Sequence, residues 1–236
     1  MKIGLFSDPH YCQCDNIGGN RHPMLSYDKI KTSMEEFNKS GVDLCICMGD
    51  LTDHAKGDTR ADAKSNLKKI MALINSYKIP FYLVVGNHDY LMLNSDDLKE
   101  ENIDTPPYKI ETEEYNFIAL DGNYRSDMER FDKAGVVWDD SNLPPFQLDY
   151  LRKSLASSQK PCIVLVHENL DPTVQEQHII KNATEVRKII KESGKVKMVI
   201  QGHFHEGSYQ IIDGIPYLTL KAMCQGEENP YVILEI

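Results

Sequence analysis

The sequence predicts an α/β fold in which parallel strands pass into a second region of antiparallel pairing. Two observations carry this. From Lys2 to Val85, short apolar runs alternate with amphipathic helical segments, the signature of βαβ crossovers and parallel neighbours. Further on, Tyr108 to Ile110 and Tyr115 to Leu120 flank a short polar connection and read as a hairpin, which requires antiparallel pairing. At 236 residues, 41% hydrophobic and 26% charged, the chain can bury a large core. No repeat, low-complexity tract or linker divides it, so residues 1–236 are expected to form a single domain.

Lys2 to Phe6 reads as a buried strand, followed by a polar loop from Ser7 to Pro23 with Gly18 and Gly19 inside it. Ser26 is placed to cap a helix running to about Lys39, with Ile30, Met34 and Phe37 on one face and Gly41 just past its end. Leu44 to Met48 forms the next strand, and Gly49-Asp50-Leu51-Thr52-Asp53 ends it. A second helix, Ala61 to about Tyr77, presents Leu67, Ile70, Met71 and Ile74. Pro80 precedes a third strand, Phe81 to Val85, which runs into Gly86-Asn87-His88-Asp89.

After the hairpin, residues 121–145 read as a long loop carrying Tyr124, Arg125, Phe131 and the only tryptophan, Trp138. Loops of that length in compact domains are functional or disordered. A helix from Phe146 to Leu155 follows, then a strand from Cys162 to Val166 ending at His167. A helix from Thr184 to Glu192, closed by Gly194, leads to a strand from Val196 to Ile200. Two strands hinged at Asp213-Gly214 and a last one, Tyr231 to Glu235, complete the order.

Charge and cysteine usage narrow the function classes. A net charge of -10 disfavours a broad nucleic-acid-binding face, which needs clustered Lys and Arg, but admits a small phosphorylated substrate whose charge metal ions neutralise. No apolar run approaches bilayer-spanning length, and the run Met1 to Phe6 is too short for a signal peptide, so a cytoplasmic location is expected. Cys45 and Cys47 alternate within an apolar run and read as buried free thiols on one strand face. Cys12 and Cys14 lie beside Asp8 and His10, but C-x-C is not a zinc spacing, and they read as residues without a metal role.

The functional signal is positional. Asp8 with His10, Asp50, Asn87 with His88, His167, and His203 with His205 each follow an apolar run directly. Ligand sites in sheets with parallel strands collect outside the carboxyl ends of the strands, so these motifs are expected to converge. Their oxygen and nitrogen donors suit borderline divalent ions such as Mn, Fe, Zn or Co better than Ca. Taken singly, each residue has an ordinary alternative: Asp8 and Asp50 suit turns or caps, Asn87 a left-handed turn beside Gly86, and His167 a hydrogen-bonded core position.

The series Asp8-x-His10, Gly49-Asp50-Leu51-Thr52-Asp53, Gly86-Asn87-His88-Asp89, His167 and Gly202-His203-Phe204-His205 resembles the calcineurin-like metallophosphoesterase superfamily in motif order. The resemblance implies a four-layer α/β/β/α sandwich with two mixed sheets and a dinuclear site. It implies that Asp8, His10, Asp50 and His205 hold one ion and that Asp50, Asn87, His167 and His203 hold the other, with Asp50 bridging. The cofactors would be two divalent or trivalent ions, Mn, Fe, Zn or Co. In such a site His88 would donate a hydrogen bond or proton to the phosphoryl or leaving-group oxygen, and Asp53 would orient it.

Pro9 fills the middle of D-x-H without being a ligand, whereas His167 is followed by Glu168-Asn169 where many relatives have a His-x-Pro type sequence, leaving the local turn open. The resulting expectation is a metal-dependent phosphoester hydrolase, phosphatase or phosphodiesterase, with water as nucleophile. The alternatives are a nucleotide-specific phosphodiesterase or diphosphohydrolase, and a non-catalytic scaffold, which would show eroded ligands. Candidate substrate contacts are His54, Arg21, Tyr124, Arg125 and Trp138, with Tyr11 and Tyr90 also in loops near the motifs. His22 and His178 have no assigned role, and the oligomeric state is open.

Overall fold

The computed structural model describes residues 1–14, 18 and 20–236, so the part of the first loop at 15–17 and 19, Gly19 included, lies outside the described residues. In chain order the elements are β1 (Lys2–Phe6), α1 (Leu25–Ser40), β2 (Leu44–Cys47), α2 (Arg60–Asn75), β3 (Phe81–Leu83), α3 (Asp89–Met92) and α4 (Ser95–Glu100). There follow β4 (Tyr108–Glu111), β5 (Asn116–Leu120), α5 (Phe131–Ala134), α6 (Pro145–Ser157), β6 (Cys162–Val166), α7 (Ala183–Ser193), β7 (Val196–Gln201), β8 (Ser208–Ile212), β9 (Ile215–Thr219) and β10 (Val232–Glu235).

Two mixed sheets result, one in the order β10-β1-β2-β3 and the other β4-β5-β6-β7-β9-β8. In the first, β1, β2 and β3 run parallel and β10 closes the edge antiparallel. In the second, β5, β6, β7 and β9 run parallel, with antiparallel β4 and β8 at the two edges. The expected hairpin is therefore one edge of the second sheet.

Strand alternation explains the layers. Ile3, Leu5, Leu44 and Ile46 point from the first sheet onto Phe117, Ala119, Ile163, Leu165 and Ile200 of the second. The opposite faces carry helices. Phe6, Cys45 and Cys47 pack under Ile30, Met34 and Phe37 of α1 and Leu67 and Ile70 of α2, while Val164 and Val166 pack under Leu148 and Leu151 of α6 and Val186 and Ile190 of α7. The stack is α/β/β/α, as the resemblance implies.

Several local expectations are corrected. The first helix begins at Leu25 with Met24 at its N-cap and no side-chain cap; Ser26 lies inside it and donates to the Pro9 carbonyl, tying the helix to the loop after β1. Gly41 does end that helix, in the left-handed conformation. The second helix starts one residue early because Thr59 and Asp62 form a capping box. The region 121–145 is a pinned segment rather than a plain loop: it contains α5, and bridges join Asn123 and Tyr124 to Asn142 and Tyr124 to Arg130. Cys12 and Cys14 are joined as a disulfide, which local spacing in a loop did not disclose, while Cys45 and Cys47 are buried free thiols as expected. Among the described residues no helix is long and apolar enough to cross a membrane.

Candidate metal centre

Two sheets face each other, and the carboxyl ends of β1, β2, β3, β6 and β7 open on the same side, delivering Asp8 and His10, Asp50, Asn87, His167, and His203 with His205. The chain must turn sharply there. Asp8, His10, Asp50 and His203 all adopt left-handed backbone, with φ of 51°, 48°, 51° and 63°. Glycines let the turns approach one another. A Cβ on Gly86 would strike the Asp50 carboxylate, and one on Gly202 would strike the Ser7 hydroxyl and crowd Asp8.

The side chains form two overlapping groups. His10 Nε2 lies 3.4 Å from Asp50 Oδ2, 3.9 Å from Asp8 Oδ1 and 3.1 Å from His205 Nε2, which is itself 3.5 Å from Asp8 Oδ1. On the other side His167 Nε2 lies 3.3 Å from Asp50 Oδ2, and ligand atoms of Asp50, His167 and His203 fall within 4.8 Å of one another. Asp50 belongs to both groups.

Donor chemistry fits cations. Asn87 Oδ1, His167 Nε2 and His203 Nε2 are buried with no hydrogen-bond partner, an arrangement that costs about 1–3 kcal/mol per atom unless something binds there. The remote ring nitrogens are fixed: His10 Nδ1 lies 2.9 Å from Asp53 Oδ2, and His167 Nδ1 2.6 Å from the Met48 carbonyl. Each donates from Nδ1 and turns its Nε2 toward the centre, the usual arrangement behind a ligating imidazole. Gln225 brings its side-chain Nε2 to 3.1 Å of His205 Nδ1.

Electrostatics agree. Burial pushes His10 down to about 4 and His203 well below its ordinary value, so both are neutral at pH 7. Burial alone would raise Asp8 and Asp50. Instead the bond to His205 and the charge of His167 hold Asp8 at about 2, and His167 and His88 hold Asp50 well below the carboxylate range. Fully buried, ionised carboxylates beside the neutral rings of His10 and His203, held down by positive charge at His167 and His88, make a pocket that suits cations.

Beside these groups opens a cleft of about 290 Å³ whose walls include Arg21, His88, Trp138, His178, Phe204 and Gln225. One wall is aromatic: the His178 ring lies 5.5 Å from Trp138, 5.3 Å from Phe204 and 5.0 Å from His203, centre to centre.

The sequence profile of calcineurin-like phosphoesterases matches residues 1–207. The chain belongs to the calcineurin-like phosphoesterase family. This phosphoesterase is 20% identical over 231 residues to the 3',5'-cyclic adenosine monophosphate phosphodiesterase CpdA of Haemophilus influenzae, covering 95% of this chain and 77% of that protein. It is 24% identical over 237 residues to a probable cyclic nucleotide phosphodiesterase of Fibrobacter succinogenes, covering 97% and 82%. Among solved structures, a dimetal phosphatase from Danio rerio shares the fold with a TM-score of 0.81 at 16% identity, over 98% of this chain and 91% of that one. Family membership makes the protein a hydrolase of phosphoester bonds in a dimetal-dependent family.

Around the phosphoesterase centre, Asp53 is buried and shared. Its Oδ2 lies 2.9 Å from both His10 Nδ1 and His88 Nδ1 and 3.3 Å from Arg21 Nη1. Burial would raise its pKa, yet the bond to His10 and the neighbouring imidazoles of His54 and His88 hold it far below the usual range. Burial likewise opposes protonation of His88, but Asp50 and Asp53 outweigh it and raise the imidazole.

Of the expected substrate contacts, Arg21 and Trp138 line the cleft. The other three do not. His54 packs against Asp53, with Nδ1 3.5 Å from Oδ1. Tyr124 turns onto Phe146 at 5.8 Å, and Arg125 bonds the Ala134 carbonyl and Asp127, so both hold the 121–145 segment together. Tyr11 and Tyr90 are buried, with Tyr90 pointing its hydroxyl toward Asp121 at 3.4 Å. Sequence reasoning missed Gln175, His178, Phe204, Glu206 and Gln225 in the cleft; only His178 and Phe204 carried any signal, as an unassigned histidine and as the residue between two motif histidines.

Proposed function

We propose that this phosphoesterase hydrolyses small nucleotide phosphodiesters, a cyclic nucleotide or a nucleotide-diphosphate linkage, at a centre of two ions drawn from Mn, Fe, Zn and Co. Asp8, His10, Asp50 and His205 would hold one ion, and Asp50, Asn87, His167 and His203 the other. The observation that carries the reading is the set of buried, unpartnered donors of Asn87, His167 and His203 around the carboxylate of Asp50, at the floor of an open cleft. When bound, the two ions lower the pKa of a shared water and draw charge from the attacking and leaving oxygens of an in-line displacement.

His88 and Asp53 supply the rest. His88 stands in the cleft wall with Nδ1 2.9 Å from Asp53 Oδ2, and Asp53 is assigned the role of orienting the ring. Its pKa is raised by Asp50 and Asp53, which favours the protonated ring, and in this reading that proton passes to the leaving oxygen as the P–O bond breaks. Arg21 extends a guanidinium into the same wall, where a substrate phosphate is its natural partner. The nucleotide preference is supported by the aromatic wall of Trp138, His178 and Phe204, a surface on which a base stacks, and by the names of the relatives.

Bound metal is measured first, and hydrolysis of an aryl phosphomonoester, an aryl phosphodiester and a panel of cyclic and diphosphate-linked nucleotides is then compared with added Mn. The proposal expects nucleotides and the aryl diester to turn over and the monoester to lag. A monoester hydrolysed fastest would point to a general phosphatase. Two bound ions with no turnover on any compound would favour a scaffold.

A further inference from the structure

Cys224 has no part in the centre as described, yet it sits against it. The segment after β9 folds back over the turn that follows β1. Met223 N donates to the Ser7 carbonyl at 2.9 Å, Cys224 N to the Asp8 carbonyl at 3.1 Å, and His22 N to the Cys224 carbonyl at 2.7 Å. This clamps Cys224 beside the Asp8–His10 turn. Its side chain is fully buried, and its Sγ lies within 4.8 Å of ring nitrogens of His10 and His205. Those two rings bring their Nε2 atoms to 3.1 Å of each other, and His205 Nε2 is 3.5 Å from Asp8 Oδ1.

Packing does not explain a thiol there. Cys45 and Cys47 belong to the apolar cluster under α1 and α2, and Cys162 to the one under α6 and α7. Cys224 belongs to none of the apolar clusters, and ring nitrogens of His10 and His205 lie within 4.8 Å of its sulfur. A buried sulfur among imidazoles and a carboxylate, with two ring nitrogens converging on the same space, is a soft-metal donor set.

We propose that Cys224 is a sulfur ligand of the ion held by Asp8, His10 and His205, so that the two halves of the centre differ in donor chemistry. The proposal rests on the two-ion reading above. On binding, the S–H bond is replaced by a bond from sulfur to the ion, and the proton leaves to solvent. The half with sulfur then favours zinc, iron or cobalt. The half built from Asp50, Asn87, His167 and His203 carries only oxygen and nitrogen, and manganese suits it as well.

The full chain is stripped of metal, loaded with cobalt(II), and followed by cobalt uptake and absorption. The expected result is two ions bound and a near-ultraviolet thiolate-to-cobalt charge-transfer band, absent from Cys224→Ser and kept by Cys162→Ser. Uptake without the band, or a band that survives in Cys224→Ser, overturns the cysteine assignment alone. No uptake at all overturns the metal centre with it. Should Cys224→Ser not fold, zinc X-ray absorption of a Cys12→Ser/Cys14→Ser protein decides: a sulfur neighbour at about 2.3 Å supports the assignment, and a shell of nitrogen and oxygen alone overturns it.

Discussion

Asp121, the first residue beyond β5, is fully buried and makes the protein's stability depend on pH in a direction opposite to that of most carboxylates. Burial pushes its carboxyl up to about 6, although the Asn123 backbone and side-chain N–H groups, at 3.0 and 2.8 Å, and the charge of Arg130 pull the other way. A carboxyl that titrates at 3.8 unfolded and about 6 folded binds its proton more tightly in the native state. Its stabilising contribution is therefore complete below pH 3.8 and is lost as pH rises through 6, amounting to about 3 kcal/mol. Asp121→Asn removes the titration and keeps an oxygen for the Asn123 donors, while its new NH2 faces the Tyr90 hydroxyl. Denaturant unfolding of both proteins between pH 4 and 8, with a chelator to keep ion binding out of the comparison, should show the variant gaining on the parent by up to about 3 kcal/mol and then levelling above pH 7. A stability difference that stays flat across this range, or a variant that loses ground at high pH, refutes the reasoning.

Replacing Asp50, common to both donor groups, by alanine is expected to abolish binding of both ions, read as metal per chain after dialysis; an unchanged content would count against the shared carboxylate. His88→Ala is expected to keep the metal content and lose about 10²–10⁴-fold in turnover, the usual contribution of a positioned acid, and parental activity would remove its proposed role. Trp138→Ala is expected to raise KM for nucleotides roughly tenfold, as the loss of one stacking platform does, with the aryl diester affected less. Equal KM values for parent and variant would dismiss the aromatic wall as a base-binding surface.

The strand-end motifs were legible because each is a local event: an apolar run of alternating faces stops, and a short polar residue follows. Asp8, His10, Asp50, Asn87, His167, His203 and His205 all arrive at one place for that reason, and the helical spacing of Ile30, Met34 and Phe37 marked their helix equally well. What sequence could not convey is where a side chain turns once tertiary contacts compete for it. Ser26 has the composition of a cap, but the Pro9 carbonyl, distant in the chain, claims its hydroxyl. Tyr124 and Arg125 have the chemistry of substrate contacts, yet Phe146, Ala134 and Asp127 offer closer partners. Gln175, His178 and Gln225 reach the cleft only through the packing of separate loops.

The left-handed backbone at Asp8, His10, Asp50 and His203 has a bearing on how such a centre decays. Aspartate and histidine are among the few residues with a side chain that tolerate this conformation, so at these positions the turn and the proposed cation select the same letters. A descendant that stopped using metal would still be confined there by its folding to the few residues that accept this backbone, Asp and His with Asn and Gly. Asn87, His167 and His205 have no positive φ, and nothing in the turn retains them. In a lineage abandoning catalysis those three would drift first, which makes them, rather than the aspartates, the positions that report whether a relative still works.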